Sequence, residues 1–167
     1  WTSVNDAASL GVGLYSSGSR EVRGLGLYKN ELIVFMRDGV QSWNIDPDPR
    51  KFSLKTVVEN VGTNFPRTIS NSGTDLYFLS DNGFRSLTTT QYTNNLSDFD
   101  IGSPIDKLVR TQAKFLKEKI SRGDLAAKSI YFYATGQYIC AMLNQAFVYS
   151  TSKVSQVAAW SRYTFND

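Results

Sequence analysis

Two similar stretches decide the fold, each an apolar run that meets a glycine turn and leads into a second run. The first is Leu32-Ile-Val-Phe-Met-Arg-Asp38-Gly39-Val-Gln-Ser-Trp43, and 44 positions later comes Leu76-Tyr-Phe-Leu-Ser-Asp-Asn82-Gly83-Phe-Arg-Ser-Leu87. Asp-Gly and Asn-Gly suit the positive φ angles of a two-residue hairpin turn, so both stretches predict a tight pair of antiparallel strands turning at these dipeptides. A third, degenerate copy without the glycine runs from Tyr138 to Tyr149, with Asn144-Gln145 at its turn.

Further strands are predicted beside these hairpins, at residues 22–28, 52–58, 67–70 and 157–165. Four short strands about every 44 residues are typical of a β-propeller blade. The sequence therefore predicts one all-β, propeller-like domain across residues 1–167, with about three to four blades of four-stranded antiparallel sheet. Closed propellers usually have roughly four to eight blades, so the chain is either a small irregular propeller or part of a larger ring. The first residue, Trp1, favours the larger ring.

An inserted amphipathic helix is predicted within residues 104–122. Pro104 suits the first helical position after a capping Ser103, Asp106 suits the first turn, and Ser121-Arg122-Gly123 supply the stop. Apolar residues at helical spacing predict one apolar stripe, made of Ile105, Leu108, Val109, Phe115, Leu116 and Ile120.

Positive charge is concentrated in this insertion. Residues 104–128 carry seven basic and three acidic side chains, which leaves 11 basic and 12 acidic side chains for the rest of the chain. Four of the cations share one helix face, roughly opposite the apolar stripe: Lys107, Arg110, Lys114 and Lys117. They are candidate contacts to DNA phosphates or to an acidic partner, beside the simpler interpretation of a solvated face. No aromatic residue interleaves with them and no base-reading motif is present, which disfavours single-strand stacking and sequence-specific reading of DNA.

The composition leaves little for side-chain catalysis. The chain has no histidine, which excludes Ser-His-Asp and Cys-His pairs and the usual zinc, copper and non-haem iron sites. Its one cysteine, Cys140, lies in an apolar run and is expected to fill the core. The pairs Asp46/Asp48 and Asp98/Asp100 lack the further ligands of a calcium loop and are interpreted as turn residues. We expect no catalytic residue, no cofactor, no metal site and no membrane-spanning segment.

Residues 22–90 resemble the propeller of short-tailed phage tail nozzle proteins, also called packaged-DNA stabilisation proteins. The resemblance rests on Val61-Gly62, on Pro66-Arg67-Thr68-Ile69, on the run from Asp75 to Leu87 and on the ending from Trp160 to Phe165. This sequence departs from the family at Thr63 and Asn64, where small residues or cysteine are common. The resemblance assigns no role to the basic helix.

The resemblance implies a structural virion protein that retains packaged DNA and forms part of the ejection channel, as a homo-hexameric ring. The implied partners are other copies of the chain, other tail or portal-adaptor proteins, and double-stranded DNA that passes without sequence preference. The implied location is the virion tail, after synthesis in the host cytoplasm.

Two other function classes compete with this interpretation. One is a carbohydrate- or receptor-binding β-propeller module, whose exposed tyrosines and tryptophans would stack on sugar rings. Such residues should lie on loops, whereas most aromatic residues fall in predicted strands, among them Tyr131, Phe132, Tyr133, Tyr138 and Phe147. The other is a propeller enzyme that uses carboxylates, which the absence of histidine and of a dense acidic cluster disfavours.

Overall fold

A computed structural model describes residues 21–92, 100–120, 127–151 and 158–165. Their strands form three antiparallel sheets, so the strand-rich prediction is confirmed. Sheet 1 has four strands that pair in chain order. They are β1 (Val22–Tyr28), β2 (Glu31–Met36), β3 (Gly39–Asn44) and β4 (Ser53–Glu59).

Sheet 2 has three strands in the described residues: β5 (Ser70–Asn71), β6 (Leu76–Ser80) and β7 (Gly83–Ser86). Four strands were predicted for this sheet; the described residues contain three, and after β7 the chain turns into the short helix α1 (Leu87–Tyr92). The predicted strand at residues 67–70 was wrong for most of its length. Pro66–Thr68 form a 3-10 turn, to which the fixed φ of Pro66 is suited, and extended structure resumes only at Ser70.

Sheet 3 again has four strands that pair in chain order. They are β8 (Ala127–Phe132), β9 (Gln137–Met142), β10 (Gln145–Thr151) and β11 (Ala158–Thr164). Between sheets 2 and 3 the chain forms the longer helix α2 (Asp106–Ile120). The predicted stop at Ser121-Arg122-Gly123 lies outside the described residues.

Sheet 2 is the middle layer of the stack, because the alternation of its strands buries both of its faces. Leu76 and Phe78 join the core against sheet 1, together with Ile33 and Phe35. The intervening Tyr77 and Leu79 point the other way, into a second core. That core also contains residues from α2 and sheet 3: Val109, Ala113, Leu116, Tyr138, Cys140, Met142, Phe147 and Tyr149. The first strands of the three sheets are neighbours, with β5 contacting both β1 and β8.

The three hairpins form where predicted, but the turns lie one residue earlier. Ser80 pairs with Gly83, so Asp81-Asn82 make the second turn and Gly83 opens the next strand with φ +126°. The first turn is Arg37-Asp38 and the third is Leu143-Asn144. The turn with two positive φ angles is Lys29-Asn30, between β1 and β2, with φ 47° and 62°.

Candidate functional site

Helix α2 packs on the sheet stack through one face. Val109, Ala113 and Leu116 are fully buried in the core that sheets 2 and 3 share, and Ile105 is partly buried against it. Leu108 and Phe115, which also belong to the predicted apolar stripe, are 39% and 49% exposed. At 100° per residue these two lie on the flank of the helix away from the cations. The four buried or partly buried residues already fill the contact with the sheets.

The start of α2 is fixed to sheet 2 by a buried ion pair. Arg85 in β7 binds both carboxylate oxygens of Asp106, from Nη1 at 2.9 Å and from Nη2 at 2.8 Å. The same two nitrogens donate to the carbonyl oxygens of Phe84 and Asn82. Asp100 lies on the remaining side, with Oδ2 at 3.7 Å from Arg85 Nε. Removing one partner of a buried pair costs about 3–5 kcal/mol, so this pair holds α2 in place.

Two glycines make room for the ion pair. A Cβ atom at Gly83 would lie 2.0 Å from Asp106 Oδ1, and one at Gly102 would lie 2.2 Å from the carbonyl oxygen of Phe84. Neither position can therefore carry a side chain while Arg85 and Asp106 keep their bonds. The glycine of the second hairpin thus serves the helix anchor as well as the turn.

Asp100 is a buried acid within this anchor. Its Oδ1 accepts hydrogen bonds from the backbone N–H groups of Ser86 at 3.0 Å and Ile101 at 2.6 Å. Burial raises the pKa of Asp100 to about 6, against the opposing effects of these two bonds and of Arg85. Asp100 is a turn residue, as predicted, and it also anchors β7. Asp98 lies outside the described residues. In the other pair, Asp46 and Asp48 accept bonds from backbone N–H groups two residues ahead, as turn residues do.

The four predicted contact residues are all exposed on α2. Arg110, Lys114 and Lys117 line a depression of about 500 Å³ together with Asp81 from the β6–β7 turn. Lys107 is not part of its lining. Lys117 forms an ion pair with Asp81, whose other oxygen accepts a hydrogen bond from Asn64 Nδ2 at 2.8 Å. The structure therefore groups three of the four predicted residues at the end of the sheet stack where the β6–β7 turn lies.

The resemblance-bearing positions between sheets 1 and 2 have structural roles. A Cβ atom at Gly62 would lie 2.3 Å from the carbonyl oxygen of Met36, which is too close for any side chain. Thr63 is fully buried and donates to the carbonyl oxygen of Leu79 at 2.6 Å. Thr63 and Asn64, the two departures from the resembled family, thus bind the segment after β4 to sheet 2.

The aromatic residues divide between core and surface. Tyr138 and Phe147 are buried, as is Cys140, which confirms the cysteine as core filler. Phe132 lies in β8, as predicted, and is 49% exposed, whereas Tyr133 lies in the turn after β8 and is 67% exposed. Of the terminal aromatics, Trp160 stacks on Phe84 with ring centroids 4.7 Å apart, whereas Tyr163 and Phe165 are mostly exposed.

The sequence did not reveal the anchor itself. Arg85, Asp100 and Asp106 were each noted for a local reason, but their pairing spans up to 21 positions. An arginine inside an otherwise apolar hairpin was the one signal available, because a buried guanidinium needs a carboxylate partner.

Neither protein-family models nor curated proteins reveal a relative of this chain: no family model matches it, and no curated protein is significantly similar to it. Among the described residues, no helix has the length and apolar character that crossing a membrane requires. Within the same residues, no group of three or more cysteine, aspartate or glutamate side chains is placed to hold a metal ion.

Proposed function

We propose that this chain is a non-enzymatic structural part of a phage tail nozzle, which borders the path of packaged double-stranded DNA. The observation that carries the proposal is the exposed row of cations on α2, a helix held rigidly by Arg85 and Asp106 at one end of the sheet stack. The motifs that resemble the nozzle family support it, since Gly62 and Gly83 both have structural roles in the stack.

The proposal includes a β-propeller architecture in which the three sheets are successive blades of a larger ring. Adjacent first strands and a middle sheet buried on both faces are what successive blades require. Apolar side chains remain exposed on the two outer faces of the stack. Leu25 and Leu27 are 61% and 56% exposed on sheet 1, and Ile130 and Phe132 are 60% and 49% exposed on sheet 3. Further sheets in the ring would cover them.

The charge on α2 suits transient contact with DNA. Phosphate contacts by lysine and arginine are independent of sequence, so the duplex can slide past them. A channel that must release its genome needs binding of this weak kind. Asp81 lowers the positive charge of this surface because it neutralises Lys117. Arg110 and Lys114 then remain as the cations that face the solvent.

The test is duplex binding by fluorescence anisotropy across a range of salt concentrations. The variant Lys107→Glu/Arg110→Glu/Lys114→Glu spares the Lys117–Asp81 pair, so its folding should be unchanged. We expect its affinity to fall on the order of 10–100-fold at low salt, and the slope of log affinity against log salt to become shallower by about 3.

The matched control reverses three exposed cations elsewhere, as Arg50→Glu/Lys51→Glu/Lys128→Glu. It makes the same change in net charge and should weaken binding far less. Equal losses in the two variants would show a general charge effect and would contradict a DNA-facing role for α2.

A second candidate function is a carbohydrate- or receptor-binding module. The observation that favours it is the exposure of Tyr133, an aromatic residue that was predicted in a strand but lies in the turn after β8.

A further inference from the structure

A second depression, of about 560 Å³, lies at the opposite end of sheet 2 from α2. It opens between the β5–β6 turn, the β8–β9 turn and the end of β10. Its described lining is uncharged and consists of Ser72, Thr74, Tyr77, Tyr131, Tyr133, Ala134, Thr135, Gly136, Ser150 and Thr151. The volume is within the roughly 300–1,000 Å³ of small-molecule pockets.

Tyr133 offers a preformed aromatic platform at the rim. Its ring is held at the tip, where the hydroxyl donates to the carbonyl oxygen of Asn71 at 2.7 Å. It is also held at the side by an edge-to-face contact with Tyr131, with centroids 5.0 Å apart. Two fixed points leave a ring that is 67% exposed but oriented before any ligand arrives. Preorganised rings lose little entropy on binding, which is why such tyrosines serve as stacking surfaces.

The hydroxyl groups around the ring point to the hydrogen-bonding character of a ligand. Thr135 donates its proton to Gln137 Oε1 at 2.8 Å, Thr151 to the carbonyl oxygen of Gly136 at 3.0 Å, and Ser72 to that of Asp75 at 3.0 Å. The hydroxyl oxygens of Thr135 and Thr151 can each accept a further bond, and Ser72 Oγ, which already accepts one from the backbone N–H of Asp75 at 2.9 Å, keeps one free lone pair. The site therefore suits a ligand that brings O–H donors.

This chemistry separates the ligand classes. A phosphate or carboxylate brings acceptors only, and no cation is present in the described lining to neutralise it. A wholly apolar ligand would desolvate the hydroxyl oxygens without replacing their bonds, which is unfavourable. A neutral sugar ring has an apolar C–H face to stack on tyrosine and hydroxyl donors at its edge.

We propose that this depression binds a neutral saccharide, stacked on Tyr133. The proposal does not depend on the nozzle assignment, because it uses other residues at the other end of the sheet.

The test is saturation-transfer NMR on the whole chain with neutral monosaccharides at millimolar concentration, followed by titration of any that bind. Glucuronate serves as the anionic comparison, and a neutral polysaccharide as the second source of the same chemistry. We expect signal from at least one neutral monosaccharide and none from glucuronate. If the polysaccharide binds more tightly per sugar ring than the monosaccharide, the ligand is a surface glycan. If the two bind equally per ring, the ligand is a free sugar.

Two variants locate the binding. Tyr133→Ala removes the platform and should weaken sugar binding about tenfold, the contribution of one aromatic contact. Phe132→Ala is the matched control, since it removes a neighbouring exposed ring that does not line the depression. It should bind sugar as the unmodified chain does. Thermal unfolding of both variants checks that they fold.

The proposal is overturned by the absence of transfer to every neutral sugar, by preference for glucuronate, or by unchanged affinity in folded Tyr133→Ala. Equal losses in the two variants would also overturn it.

Discussion

Arg85 is the residue on which the placement of the basic helix depends. Its guanidinium makes four hydrogen bonds, two to Asp106 and two to backbone carbonyl groups. A lysine could not replace it, because one ammonium group cannot reach both carboxylate oxygens and both carbonyls in this planar arrangement. Gly83 and Gly102 leave the space in which the arrangement fits.

Gly83→Ala tests this packing. The new Cβ atom would overlap Asp106 Oδ1, so the ion pair must break or the backbone must shift, and we expect a loss of about 3–5 kcal/mol in the free energy of unfolding. Gly73→Ala is the matched control, since Gly73 also has positive φ but its nearest atom would be 3.9 Å away. It should cost about 1–2 kcal/mol. Urea unfolding measures both, and similar losses would mean that the clash at Gly83 is relieved without cost.

The free energy of unfolding should depend on pH because of Asp100. Its pKa is raised to about 6 in the folded chain from an ordinary 3.8, so between these values the folded state binds a proton that the unfolded state lacks. The free energy of unfolding should therefore rise as pH falls through 6, by about 1–3 kcal/mol from this group. Asp100→Asn should remove that rise. Urea unfolding at about pH 7 and about pH 5 measures the difference, and a variant with the same pH dependence as the original chain would refute it.

At the scale of elements, local patterns predicted the hairpins and the helix but not their contacts. Apolar runs of strand length, repeated at an interval of 44 residues, were sufficient to predict the hairpins β2–β3 and β6–β7. The turns lie one residue earlier than predicted, and only in the second hairpin does a close contact of the glycine account for this. At Gly83 the requirement is space for Asp106, which the local sequence does not contain.

Helix α2 shows the same limit. Its apolar residues satisfy helical spacing along two neighbouring lines, one through Ile105, Val109 and Leu116 and one through Leu108 and Phe115. The first line is buried or partly buried against the sheets, and the ion pair at Asp106 holds the start of the helix there. The exposure of the cations was predictable from their spacing, since lysine and arginine are rarely buried without partners. Their partner Asp81 is 36 positions away from Lys117 and was not predictable.

At the scale of the whole molecule, the two ends of the stack differ in chemistry. The end with the β6–β7 turn carries the cations of α2, and the opposite end carries the uncharged depression around Tyr133. Between them the stack has two apolar outer faces. This division suits the ring component proposed above, whose sides would meet neighbours and whose charged end would meet DNA.

The apolar sides lead to a prediction about assembly. If sheet 1 meets another copy through its outer face, a lysine at Leu25 would bury an unpaired charge and weaken the contact by about 3 kcal/mol or more. We expect multi-angle light scattering to give the unmodified chain a mass of several copies, with six implied by the resemblance, and Leu25→Lys a smaller one. Leu143→Lys, the same change at an exposed turn, should assemble normally. A monomeric unmodified chain, or Leu25→Lys at full mass, would contradict assembly of copies through this face.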